Sequence, residues 1–165
     1  MEQLDNICCL ASELGKHVSN YCMEKGYNMT TIKLEKLMVI ADGVFLSLYG
    51  KPLFKEEVVV MNHGVGIKEI DSDFGCIFLD RDKKEFYSYI TLLENQEKVL
   101  KKIVKHYGNL DAFELNKIPE IQRTQAFIEE ANAKGSILHG GMMRIFEKNL
   151  AVWELQLDEQ HERVL

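Results

Sequence analysis

Proline is scarce in this chain: Pro52 and Pro119 are the two in 165 residues. With no low-complexity segment and no internal repeat either, no linker is evident, and the length favours a single domain over residues 1–165. Cysteine is also sparse. Cys8, Cys9, Cys22 and Cys76 form no C-x-x-C and no zinc-ligand spacing. A chain of this length buries roughly 70% of its unfolded surface and needs no staples. The thiols therefore read as reduced, cytosolic core residues, with Cys8 and Cys22 on one face of an expected helix. The five histidines include no H-E-x-x-H and no pair at ligand spacing, so no metal is expected. There is no G-x-S-x-G, no Walker-type phosphate loop and no G-x-G-x-x-G, and so no expected cofactor. A positive balance is lacking too. The net charge of −6 argues against a nucleic-acid grip by bulk electrostatics, because binding phosphates takes Lys and Arg. It suits a basic protein partner. No charged-then-apolar N-terminal segment ends in small residues, so no signal peptide is expected and the chain is placed in the cytoplasm.

What is present is organised around Thr30 to Gly50. Leu34, Leu37, Met38, Ala41, Val44, Phe45 and Leu48 recur at helical spacing, and Val39, Ile40 and Leu46 widen that face past half the circumference. A helix so apolar belongs inside a globule. With Lys33, Glu35, Lys36 and Asp42 within it, it is not expected to span a membrane.

Before it, Gln3 to Lys25 reads as a helix with Leu4, Ile7, Cys8, Ala11, Leu14, Val18, Tyr21 and Cys22 buried, stopped by Gly26. Thr30 or Thr31 is the expected N-cap of the central helix. After it, Gly50-Lys51-Pro52 forces a turn, and Leu53-Phe54 and Val58 to Met61 have strand composition. Asn62 to Gly66 reads as a specially bent loop and Ile67 to Asp71 as one helical turn. Cys76 to Leu79 and Glu85 to Ile90 predict a second hairpin around Asp80 to Lys84. Thr91-x-x-Glu94 has the form of a capping box opening a helix that runs to Gly108, and Asp111-x-x-Glu114 caps a short one. Pro119 opens the next helix, with Ile121, Phe127, Ile128 and Ala131 inward and Gly135 closing it. Leu138, Met142, Ile145 and Phe146 are the inward residues of a further segment, weakened by roughly 1 kcal/mol for each of Gly140 and Gly141. Trp153, Leu155 and Leu157 alternate, as in a strand. The expected fold class is mainly α (α+β): a helical bundle around a buried central helix, with a small β element.

Among the chemistry-bearing residues, His63-Gly64-Val65-Gly66 leaves two readings open. Either the loop presents His63 and backbone amides to a partner, or it is a tight turn whose glycines allow φ > 0. Lys33 and Lys36 either snorkel to water from one polar edge or meet an acidic group. Lys98, Lys101, Lys102 and Lys105 read as a solvated face, and His139-Gly140-Gly141 as a helix-entry irregularity. A Cys76–His63 nucleophile pair has nothing beyond the two residue types to support it, and Cys76 reads as a buried strand residue.

The central helix also carries a resemblance. Lys33-Leu34-Glu35-Lys36-Leu37-Met38 followed by Ala41 resembles the K-L-x-K-L-L-Y-x-A signature of the Panacea, or SocA-type antitoxin, domain. Gly50-Lys51-Pro52-Leu53-Phe54-Lys55-Glu56 is similar to its G-x-P-L-F-x-E segment, and His63 to Gly66 sits where that family carries G-P-V. Val39 replaces the aromatic, Met61 and the valines replace an A-W pair, and the proline is missing, which marks a divergent member. The resemblance implies a non-enzymatic protein of bacteria or their phages that neutralises a neighbouring toxin by direct binding; one branch delivers its toxin to a protease. Some members add a DNA-binding domain, for which this chain has no room. The candidate partner-binding residues are Lys33, Lys36, Asn62, His63, Gly64 and Gly66. The alternative is a phage-encoded inhibitor of a host defence nuclease, its acidic surface filling a basic channel.

Overall fold

A computed structural model of the chain describes residues 9–78, 84–131 and 139–164, and the side chains of 139, 140 and 160–164 lie outside that description. The central helix α2 (Thr31–Tyr49) is buried at every residue from Lys33 to Leu46. Thr30 is its N-cap: its hydroxyl accepts from the Lys33 amide at 3.1 Å. Gly50, at φ 68°, ends it in the left-handed region that a Cβ disfavours.

Around α2 pack α1 (Ala11–Glu24), the hairpin β1 (Val59–Met61) and β2 (Gly64–Gly66), α3 (Lys68–Phe74), α4 (Glu94–Tyr107), α5 (Ala112–Leu115), α6 (Pro119–Ala131), α7 (His139–Phe146) and α8 (Leu150–Val164). The fold is mainly α with one two-stranded antiparallel sheet, as the sequence predicts. Leu14, Val18 and Cys22 of α1, Ile103 and Val104 of α4, and Phe146 of α7 join α2 in one core. Asp111 and Glu114 close the predicted capping box reciprocally, at 2.8 and 3.2 Å. No helix among the described residues is long and apolar enough to cross a membrane.

Several elements differ from the sequence reading. Helix α1 begins at Ala11, and residues 3–8 of the predicted helix, Cys8 included, lie outside the described residues. Cys9 is extended because it bridges Phe54 in parallel, and Glu56 caps the helix by accepting the Ala11 amide at 2.8 Å. Phe54 supplies that bridge alone, without a strand of its own. The expected loop from Asn62 to Gly66 is a turn at Asn62-His63 plus strand β2, paired Val59↔Gly66, Val60↔Val65 and Met61↔Gly64. The helix after it is longer than one turn, Lys68–Phe74.

The predicted second hairpin does not form among the described residues, and Leu79 to Lys83 of it lie outside them. Asn20 occupies the place a partner strand would take: its amide donates to the Phe86 carbonyl at 2.9 Å and accepts the Phe86 N–H at 2.7 Å. Helix α4 is capped from Gln96, whose Oε1 accepts the Leu93 amide at 2.9 Å, and not from Thr91. Ala131 is exposed and Phe127 is partly so, its ring lying over Gly141 of α7, leaving Ile121, Thr124 and Ile128 as the buried stripe of α6. The alternating tail is helical: Ala151, Val152 and Leu155 are buried at helical spacing, and Asn149 accepts the Ala151 amide at 2.9 Å. Gly135 and Leu138 lie outside the described residues.

Candidate functional site

The site begins with a problem posed by α2. A buried helix that carries Lys33, Glu35 and Lys36 must find partners for three charges, since an isolated buried charge is costly. Each lysine solves this with backbone. The Lys36 ammonium donates to the carbonyls of His63 (2.8 Å) and Val65 (3.2 Å) and is fully buried. Lys33 donates to Asn28 and Gly108, each at 2.5 Å, and lies 5.9 Å from the Tyr27 ring centre. Burial lowers the pKa of both amines. The expected snorkelling to water is thereby corrected: these amines clamp the hairpin and the α4 terminus from inside, Lys36 sharing the His63 carbonyl with the Asn116 amide. Neither presents itself to a partner.

Glu35 is the residue the sequence reading passed over. Its Oε1 accepts the Ile67 amide at 3.0 Å, while Oε2 makes no hydrogen bond although the side chain is fully buried. That free oxygen faces His63 Nε2 at 3.5 Å, and the same nitrogen lies 3.9 Å from Asp71 Oδ1 on α3. Nε2 makes no hydrogen bond either. Desolvation pushes the Glu35 carboxyl up to about 7, overcoming the Ile67 amide and Lys36. Desolvation, and then the Lys36 charge, lowers the His63 pKa.

The two glycines of the motif have separate reasons. A Cβ on Gly66 would fall 2.6 Å from Glu35 Oε1 and 3.1 Å from His63 Cε1, so only glycine leaves room for the carboxylate and the ring. Gly64 sits at φ +100° with the Lys36 ammonium 3.2 Å from where a Cβ would be. Thus Lys36, His63, Gly64 and Gly66 come together around Glu35, with Asn62 exposed at the turn above; Lys33 points elsewhere. The signal for Glu35 was present as an acid inside an apolar helix, but its partners are distant in sequence.

Among the described residues, the cysteines take no part. Cys76 is exposed beyond the end of α3 and not the buried strand residue expected, because no strand forms there. Cys22 is buried and its thiol is pushed up to about 11 by desolvation, which leaves it inert at neutral pH. Of the α4 lysines, Lys101 and Lys105 are exposed as predicted, whereas Lys98 and Lys102 are half-buried. Lys101 pairs with Glu97 at 2.7 Å, and Lys102 reaches Glu154 and Asp158 of α8 at 3.3 and 3.5 Å. They border a groove of about 510 Å³ with Tyr21 and Lys25.

A second surface stands apart from this polar cluster. On α8, Leu150, Trp153 and Leu157 recur at i, i+3 and i+7 and are 60%, 54% and 61% exposed. Comparison with known proteins finds no match: no family model, no curated protein and no solved structure aligns with this chain.

Proposed function

We propose that this chain is a Panacea-like binding protein, acting as an antitoxin that neutralises a partner toxin by direct contact and without catalysis. The observation that carries the reading is the exposed Leu150–Trp153–Leu157 stripe on α8. Aromatic residues flanked by aliphatic ones are the groups that supply most of the free energy at protein interfaces, and an apolar stripe facing water marks such a surface. The likeness of Lys33 to Ala41 and of Gly50 to Glu56 to the Panacea segments supports a toxin as the class of partner. Lys33 and Lys36 serve this function only by holding the fold, while Asn62 and the His63 turn stay at the surface.

The test is co-expression with the products of the genes flanking this one. A stable complex and rescue of growth are expected, both lost in Trp153→Asp and kept in the surface control Glu130→Gln. Absence of a complex and of rescue with every neighbour would refute the reading. The acidic balance of −6 favours a second one, inhibition of a defence nuclease by occupying its basic channel. A nuclease assay with added protein separates the two.

A further inference from the structure

We infer that Glu35, His63 and Asp71 form a binding site for a single zinc-like divalent transition-metal ion that joins α2, the hairpin turn and α3. One ligand atom from each residue lies within 4.8 Å of the others. Two of the separations, 3.5 Å from His63 Nε2 to Glu35 and 3.9 Å to Asp71, are close to the edge of a tetrahedron. Metal–ligand bonds of 2.0–2.2 Å place neighbouring donors about 3.4 Å apart, so closure needs shifts of a few tenths of an ångström on these two edges.

A metal also accounts for two of the polar atoms that hydrogen bonding leaves open here, Glu35 Oε2 and His63 Nε2. Glu35 Oε2 is fully buried and aimed at His63, yet neither it nor Nε2 has a hydrogen-bond partner. Such groups are rare because each forfeits its hydration without replacement. A dication accepts both lone pairs at once and is neutralised by the two carboxylates. Lys36 does not compete for the position, because its ammonium is committed to the carbonyls of His63 and Val65. Gly66 keeps the approach between carboxylate and ring free of a Cβ.

The donor set selects the ion. Imidazole nitrogen disfavours Mg²⁺ and Ca²⁺, which take oxygen ligands, and suits zinc and its neighbours. The Asp71 side chain is 55% exposed, which puts the fourth coordination position toward solvent, where water fills it. The ion's effect is conformational. It ties the turn that presents Asn62 to α3 as well as to α2, which already holds it through the Lys36 clamp.

The experiment uses the full chain, stripped with chelator and titrated with ZnCl₂ by calorimetry, with metal content checked by mass spectrometry. One zinc per chain and a raised melting temperature are expected, with no response to MgCl₂. His63→Gln and Asp71→Asn should each weaken binding roughly tenfold or more. Asp71 is exposed, so its variant tests ligation without disturbing the core. Cys76→Ser should bind as the parent does. Failure to bind one equivalent, undiminished binding by Asp71→Asn, or loss in Cys76→Ser would each overturn the site.

Discussion

From Lys33 to Lys36, helix α2 takes three charged side chains into the interior; from Val39 to Leu46 it takes one, Asp42. Both halves are equally buried, but they are held by different physics. The later half packs by shape. Its Gly43 lies under Phe146 of α7 so closely that an added Cβ would fall 2.2 Å from the ring. The earlier half packs by partnership: two ammonium groups on carbonyls and a carboxylate on an amide. The later half tolerates volume-conserving apolar change, whereas the earlier half tolerates almost no change of charge. The proposed metal site lies at the earlier half, where polar groups are left without hydrogen-bond partners.

Four tests break or sharpen this contrast. Lys36→Ala should cost most, about 3–5 kcal/mol, since it strips two carbonyls and the countercharge of Glu35 from the interior. Lys36→Met keeps the stem and should cost less; denaturant midpoints compare them. Gly43→Ala comes next, at about 1–3 kcal/mol of overpacking that outweighs the gain in helix propensity. Pairing it with Phe146→Leu should return much of the loss, and an additive cycle would show that the two sites do not touch.

Asp42 supplies the third test, through pH. It is buried, its Oδ1 accepts the Leu53 amide at 2.8 Å, and desolvation pushes its pKa up to about 7. The folded state therefore keeps a proton that the unfolded chain releases near pH 4. Unfolding releases that proton, so stability falls as pH rises from about 4 to about 7. Asp42→Asn keeps an acceptor for Leu53 but cannot titrate, so the stability difference between pH 5 and pH 8 should shrink in urea titrations. A slope equal to that of the parent would contradict the assignment. Smallest is Thr30→Ala, at about 1 kcal/mol for the lost N-cap, read as a modest drop in melting temperature.

The legibility of the sequence follows the same division. The apolar face of α2 and the Asp111–Glu114 box could be read directly, and the α2 cap to within Thr30 or Thr31, because each depends on residues a turn apart. The predicted strand at Glu85 to Ile90 failed because the Asn20 side chain, on another helix, serves the Phe86 backbone. The tail was misread because Trp153, Leu155 and Leu157 fit period two, while burial of Ala151, Val152 and Leu155 follows a helix. For the candidate site, His63 and the two glycines were legible as unusual local chemistry. Glu35 and Asp71 were not, since nothing near either residue announces the other.

The amino-acid sequence by itself determined a mainly helical chain wound around one buried helix, because hydrophobic periodicity is a short-range property that the backbone repeat converts directly into a face. Tertiary structure alone decided what Lys33, Glu35 and Lys36 meet. Apart from the Asn28 carbonyl, their partners are carbonyls, an amide and an imidazole delivered by later segments of the chain. The reason is that burying a charge sets a demand locally, but only the packed fold determines which group answers it.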